Sequence, residues 1–166
     1  MKKISVFCKS INLILFFLFV VIIGYSQTED CTHSNFDHEN GTINCKGNII
    51  VNGKVDGGSV VYLVSTGGSC AISDKVDGSS TLTISCLGSV SIGNKIDGSS
   101  RVSIRCSGDI TIGDKIDGSS QCDFYSEHGH ILIKDKTDNS GTLVRWHSQF
   151  PIIVINGTNR ANVVQY

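Results

Sequence analysis

A ten-residue pattern that recurs every 20 or 21 residues restricts the fold of this chain more than any other feature of its sequence. Each copy begins with glycine, has lysine at the eighth position and ends with aspartate. The copies occupy residues 47–56, 68–77, 88–97, 108–117 and 129–138. A period of this length is typical of repeat proteins in which every unit packs against its neighbours in the chain.

Apolar and polar residues alternate within each copy, which predicts strands with one buried face. The first copy places Ile49 and Val51 inward, and the later copies repeat this pair as Cys70 and Ile72, Val90 and Ile92, Ile110 and Ile112, and Ile131 and Ile133. A Gly/Ser turn follows most of the aspartates, and a second alternating segment comes after the turn, as in Val102 and Ile104. The pattern leaves no room for a helix.

A unit of this size cannot bury its own apolar face, so the copies are expected to stack. Each strand then pairs in parallel with its equivalent in the next coil, and the short Lys-Ile-Asp segment forms a third side. We predict an all-β fold, a single-stranded parallel β-helix or β-solenoid with coils of about 20 residues. The pattern resembles the secreted parallel β-helix proteins in general. The handedness is left open, with right-handed winding favoured.

The first 26 residues have the features of a secretory signal. Lys2 and Lys3 provide a basic start, residues 11–23 are apolar apart from one asparagine, and cleavage is predicted after Ser26. A secreted or cell-surface protein is therefore expected. The alternative is an uncleaved membrane anchor, for which the apolar run is short against the roughly 20 residues that a spanning helix needs.

The mature chain is expected to be one domain with distinct ends. Residues 27–46 are predicted to be an irregular, polar N-terminal cap, residues 47–148 five coils of 20–21 residues, and residues 149–166 a partial coil that caps the C-terminus. Caps of this kind protect the open strand edges of a solenoid from aggregation.

The charge of the chain argues against two classes of partner. Removing the signal removes three lysines and no acid, which changes the net charge from −1 to −4. A mildly acidic protein lacks the basic footprint for nucleic acid or for an anionic membrane. We therefore expect no nucleic-acid partner, and a membrane contact only if the signal stays uncleaved.

Six cysteines follow the signal, an even number that permits disulfides in an exported chain. Cys86 and Cys106 occupy one inward column in adjacent coils, about 4.8 Å apart, so a bridge and a pair of free thiols both remain open. Cys45 belongs to the same column two coils earlier, too far from Cys86, and Cys31 is its expected partner. The other two are expected to be buried thiols that act as small apolar residues, Cys70 and Cys122.

The clearest surface feature is a pair of charged columns, one of lysines and one of aspartates. Each lysine lies two residues before an aspartate, so the charges partly cancel, and the aspartates can accept backbone hydrogen bonds that fix the following turns. This structural role is favoured over a charged strip that binds a repetitive polymer. The candidate binding residues in the columns are Lys54, Lys75, Lys95, Lys115, Asp56, Asp77, Asp97 and Asp117.

Aromatic and charged residues concentrate late in the chain. Tyr125 and Trp146 share an outward column if the register of the repeat holds, and such rings can stack on sugars, so both are candidate ligand-binding residues. Two carboxylates, Asp123 and Glu127, could act on a glycosidic bond. They lie four residues apart with no inserted loops to build a cleft, so no catalytic residue is assigned.

No metal or cofactor is expected. A polar column just before the lysines could, together with the aspartates, supply oxygen ligands for calcium, but a lysine stands between the two columns. The members of the polar column are Asp74, Asn94, Asp114 and Asp135. The polar residues near the N-terminus match no metal-binding spacing and are interpreted as a solvated cap, namely His33, Asp37, His38 and Glu39.

These features predict a secreted or cell-surface β-solenoid with a structural, adhesive or polysaccharide-binding role and no catalysis. Many weak, equivalent contacts would give such a protein avidity without a dominant residue. Its expected partner is a polysaccharide or another cell-surface component. The alternative is a polysaccharide-degrading β-helix enzyme, and an ice-binding or self-assembling solenoid is a lesser alternative.

Overall fold

The computed structural model describes residues 29–166, so the predicted signal segment lies outside the described residues. This part of the chain contains no helix and forms the parallel β-solenoid that the repeat predicts, with about seven turns. None of it is a helix long and apolar enough to cross a membrane. The strands are β1 Cys31–His33, β2 Phe36–Asp37, β3 Gly41–Cys45, β4 Ile49–Val51, β5 Val55–Asp56, β6 Val60–Ser65, β7 Cys70–Ile72, β8 Thr81–Cys86, β9 Val90–Ile92, β10 Arg101–Cys106, β11 Ile110–Ile112, β12 Gln121–Ser126, β13 Ile131–Ile133, β14 Thr137–Asp138, β15 Leu143–His147, β16 Ile153–Val154, β17 Thr158–Asn159 and β18 Asn162–Gln165.

Two parallel seven-stranded sheets form the main sides of the solenoid. Sheet 1 contains the short strands, in the order β1-β4-β7-β9-β11-β13-β16. Sheet 2 contains the longer strands, in the order β18-β15-β12-β10-β8-β6-β3. Equivalent residues of adjacent copies are in register, as for Ile92 and Ile112 in sheet 1 and for Cys86 and Cys106 in sheet 2. The expected stacking of the repeat is confirmed.

The Lys-Ile-Asp segment forms the expected third side. Single parallel bridges join its inward residue from coil to coil, and two-stranded pairs complete this side at both ends, β2 with β5 and β14 with β17. The bridged residues are Val55, Val76, Ile96, Ile116 and Thr137. All five are fully buried, so the third side closes the core that the two sheets leave open.

The inward residues form ladders along the solenoid. Isoleucine, valine and leucine dominate them, and nearly all of these side chains are fully buried. The inward ladder at the C-terminal ends of the sheet 2 strands contains serines. Ser65, Ser126 and Ser148 donate their hydroxyls to backbone carbonyls of an adjacent turn at 2.6–2.8 Å. Cys86 and Cys106 stand in the same ladder, and their thiols contact the carbonyls of Gly88 and Gly108 at 3.5 and 3.1 Å. These cysteines therefore occupy a position that elsewhere requires a small hydrogen-bond donor.

The N-terminal segment is more regular than its sequence indicates. Instead of an irregular cap, β1, β2 and β3 form a complete coil that pairs with β4, β5 and β6. Phe36 pairs with Val55 and is 2% exposed, so it takes the inward place that valine or isoleucine has in later coils. Its ring, stacked on His33 at 4.1 Å, fills the end of the core.

The C-terminal segment is also a coil rather than a fragment of one. β16, β17 and β18 continue sheet 1, the third side and sheet 2, respectively. With the first coil this raises the five predicted coils to about seven turns. Neither terminal coil carries the full glycine–lysine–aspartate pattern, which is why the sequence underestimates the number of coils.

Trp146 does not face outward, because the register on which that position depends shifts by one residue before β15. Trp146 pairs with Phe124 and is 8% exposed, whereas the residue that pairs with Tyr125 is His147. Residues 139–142 make the turn before β15 one residue longer than the equivalent turn in the preceding coil, 118–120. This longer turn absorbs the extra residue, and Trp146 then returns to the inward column.

Candidate ligand-binding face

The lysine and aspartate columns form ion pairs within each coil. The lysine Nζ atom lies 2.5–3.0 Å from a carboxylate oxygen of the aspartate two residues later. Neighbouring coils also connect, with Lys54 3.0 Å from Asp37 and Lys75 3.6 Å from Asp56. The five pairs within coils are Lys54–Asp56, Lys75–Asp77, Lys95–Asp97, Lys115–Asp117 and Lys136–Asp138.

The second oxygen of each aspartate fixes the turn that follows. It accepts a hydrogen bond from the backbone N–H of the next residue at 2.6–2.7 Å. This next residue has a positive φ in every coil, for example 70° at Gly98 and 77° at Asn139. Glycine adopts that conformation without steric cost and asparagine tolerates it, which explains both residue types.

The lysine and aspartate columns together are called the charged ladder, or simply the ladder. The pKa shifts of its aspartates agree with a structural role. The hydrogen bond from Lys115 lowers the pKa of Asp117 below its ordinary value. Burial opposes this effect at Asp56 and Asp77, but the lysine and the turn N–H together still lower the pKa of both. A ligand that used these charges would have to break existing ion pairs. Binding by the ladder residues therefore stays a prediction, and their contacts favour the structural role.

The ladder is expected to make the fold sensitive to acid. Because the folded-state pKa of Asp117 lies below the ordinary value of 3.8, protonation favours the unfolded chain. The stabilisation is complete above a pH of about 4 and declines as the pH falls through the folded-state pKa. We expect Asp117→Asn to cost about 1 kcal/mol at neutral pH and to flatten the dependence of stability on pH below 4. Urea unfolding at several pH values measures both, and parallel profiles for parent and variant would contradict the prediction.

The outer face of sheet 2 differs from the ladder because its charges are mostly arginines. Arg101 and Arg105 point outward from β10, and Asp123 and Arg145 point outward from β12 and β15. Arg145 donates to Asp123 at 2.7 Å, and the hydroxyl of Tyr166 donates to the other oxygen of Asp123 at 2.8 Å. Both oxygens of this carboxylate are thus engaged.

A stack of side chains runs across this face from coil to coil. The Arg105 guanidinium lies 4.2 Å from the centre of the Tyr125 ring. The opposite neighbour of Tyr125 is His147, stacked at 4.9 Å with an interplanar angle of 3°, and His147 in turn contacts Tyr166 at 5.9 Å. Tyr125 is therefore flanked by stacking partners in both adjacent coils, which argues against the sugar-stacking role suggested for it.

Two shallow cavities of about 250 Å³ each lie along the same face. One is bordered by Thr83, Arg101, Ser103, Gln121, Asp123 and Arg145. The other is bordered by Ser85, Leu87, Arg105, Ser107, Tyr125 and Glu127. Both are near the lower limit of ligand pockets in proteins, which typically hold about 300 Å³ or more. They are open, separate contact points on the surface and do not form an enclosed binding site.

The two carboxylates considered for catalysis do not share a cavity. Asp123 borders the first cavity and is bound to Arg145 and Tyr166, whereas Glu127 borders the second and accepts a hydrogen bond from Ser107 at 2.9 Å. A pair of carboxylates that cleaves a glycosidic bond must flank one sugar linkage. The described surface does not present these two in that way.

One pair of cysteines lies at disulfide distance, and it is the pair expected from the sequence. Cys31 and Cys45 are at disulfide distance, with Cα atoms 6.0 Å apart, and join β1 to β3 across the first coil. Cys86 and Cys106, for which the sequence leaves both states open, are free thiols. Cys70 and Cys122 are buried free thiols as expected, and burial raises the pKa of Cys122.

Comparisons with protein-family models, with curated proteins and with solved structures gave no match. Within residues 29–166, no group of three or more His, Cys, Asp or Glu side chains is arranged to hold a metal ion. What this chain binds is therefore inferred from the geometry of its own surface. Arg101 and Arg105 were not among the residues predicted from the sequence, although each interrupts a column in which the preceding coil has threonine or serine.

Proposed function

We propose that this protein is a non-catalytic, exported β-solenoid that holds a polysaccharide along the outer face of sheet 2. The observation that carries the proposal is the position of both cavities on this one face, where hydroxyl, amide and charged side chains recur at the spacing of the coils. A polymer can contact several such positions at once, so weak individual contacts add to a useful affinity.

The contacts of the other charged surface support this choice of face. The lysines of the ladder are bound to aspartates, and the aspartates to turn N–H groups, as at Lys75 and Asp77. The charged groups of that surface therefore already have partners within the protein. On sheet 2, by contrast, hydroxyl groups such as those of Thr83 and Ser103 border an open cavity. Exposed hydroxyls and amides are suited to hydrogen bonding with the hydroxyl groups of sugars.

The test is incubation of residues 27–166 with a panel of immobilised polysaccharides, recording both retained protein and released sugar. We expect retention without release. A matched pair of uncharged variants locates the surface, because Ser103→Leu would fill part of the first cavity whereas Ser91→Leu adds the same side chain to the outer face of sheet 1. Only the first should reduce retention. Released sugar would support the enzyme alternative, and a panel that retains nothing would overturn the proposed function.

A further inference from the structure

The charges of this chain are distributed unevenly between its surfaces. The whole chain has 14 basic and 15 acidic residues, and residues 1–28 contain three lysines and no acid, so residues 29–166 carry 11 − 15 = −4. The outward positions of the sheet 2 strands nevertheless carry three arginines and one aspartate, and Glu127, which follows β12 at the border of the second cavity, brings the net charge of the face to 3 − 2 = +1. An acidic protein thus presents a locally positive face, which attracts anions through its local field.

Two of these arginines are available to a ligand. Arg145 is paired with Asp123, but within residues 29–166 no carboxylate lies within 4.0 Å of Arg101 or Arg105. Each borders a different cavity of the face. Arg105 is also held in position by the Tyr125 ring at 4.2 Å, so less of its side-chain entropy is lost on binding.

We infer that Arg101 and Arg105 bind the anionic groups of an acidic polysaccharide, a polymer whose sugars carry carboxylate or sulfate. The inference rests on the proposed function and names the class of its ligand. A guanidinium presents its N–H groups as a planar fork that matches two oxygens of a carboxylate or sulfate. The hydroxyls and the amide beside Arg101, those of Thr83, Ser103 and Gln121, would then contact neutral hydroxyls of the same sugar.

The geometry also restricts how the polymer lies. Arg101 and Arg105 are four residues apart on β10, which places their Cα atoms about 13 Å apart along the strand. Both side chains point to the same side of the sheet because their separation is even. One polymer segment on this face can therefore contact both arginines when its anionic groups recur at about this distance.

The experiment compares polymers that share a backbone and differ in one anionic group. Polygalacturonate and its full methyl ester differ in the charged carboxylate, whereas chondroitin sulfate and its desulfated form differ in sulfate and both keep the carboxylate of glucuronate. We expect binding of the mature chain to at least one charged polymer to be tenfold or more tighter than to its partner, and to weaken between 50 and 500 mM NaCl because salt screens charges. Which pair shows the difference identifies the anion as carboxylate or sulfate.

Substitutions then assign the effect to the two arginines. Arg101→Gln and Arg105→Gln are each expected to weaken binding about tenfold. Lys134→Gln, which removes the same charge from an exposed residue directly after β13 of sheet 1, is the matched control and should bind like the parent. Thermal unfolding of all three confirms that they fold, and exposed positions such as these are expected to tolerate glutamine.

The outcomes separate this inference from the proposed function. Equal binding within both pairs, with polygalacturonate bound no more tightly than its neutral methyl ester, would overturn the inference and leave the proposed function standing. Binding to none of these polymers would overturn the inference, and the proposed function falls with it only if the polysaccharide panel also retains nothing. Selective binding that Lys134→Gln reduces as much as the arginine variants would also overturn the inference, since it would reflect overall charge. Equal affinity for a DNA oligomer of similar charge density would overturn the assignment to sugars.

Discussion

Replacing Trp146 with alanine is expected to lower the free energy of unfolding by about 3–5 kcal/mol, the usual cost of removing a buried large aromatic side chain. Trp146 is 8% exposed and belongs to the inward column of Phe124 in sheet 2. Its removal leaves a cavity between coils that cannot close, because the parallel strands on either side fix the spacing of the backbone. Urea unfolding followed by circular dichroism measures the loss.

An exposed aromatic residue on the same sheet provides the control. Tyr62 points outward from β6 and is 46% exposed, so Tyr62→Ala is expected to change stability by no more than about 0.5 kcal/mol. The contrast also distinguishes the core position of Trp146 from the sugar-stacking role that its sequence suggests. A Trp146→Ala variant as stable as the parent but deficient in polysaccharide binding would place the ring outside and contradict the assigned register.

Loss of the Cys31–Cys45 bridge is expected to cost about 3 kcal/mol, the value for closing a loop of about 15 residues. The bridge spans 14 residues and ties β1 of sheet 1 to β3 of sheet 2. Because each coil of a solenoid contacts only its neighbours, the destabilisation should be concentrated in the first coil. In the double variant Cys31→Ser and Cys45→Ser, amide hydrogen exchange should accelerate in residues 31–45 more than in the central coils.

A reducing agent provides a second measurement of the same bridge. Reduction should lower the Tm of the parent towards that of the double variant and leave the double variant unchanged, since its remaining cysteines are thiols. Serine at position 45 is a mild replacement, because Ser65 occupies the equivalent corner position in the next coil. If reduction also destabilised the double variant, a second bridge would be present, and the neighbouring Cys86 and Cys106 would be the pair to examine.

The repeat in the sequence was sufficient to predict the architecture. Alternation identified the inward residues of sheets 1 and 2, and residues such as Ile92 and Ile112 lie where it placed them. The pairing of each lysine with the aspartate two residues later was also predictable, because both side chains leave a short extended segment on the same side. The partner of Cys45 followed from the column that the repeat assigned to it.

The candidate binding face was less accessible to sequence reasoning. Arg101 and Arg105 are visible in the sequence, but nothing local shows that their charges face open cavities. Those cavities are formed with neighbours in other coils, about 20 residues away in the chain. Likewise, the stacking of Tyr125 between Arg105 and His147 depends on three separate coils.

By itself the sequence determined the parallel β-solenoid, its period and the inward face of each repeated strand, because the alternation and the turn residues are local and recur in every copy. Only the tertiary structure decided where the irregular parts belong. The extra residue before β15 could be accommodated in the turn or within the strand, and a shift of one residue would exchange Trp146 and His147 between core and surface. Pairing with β12 favours the register that buries the larger apolar ring, a contribution that exists only once the coils are stacked.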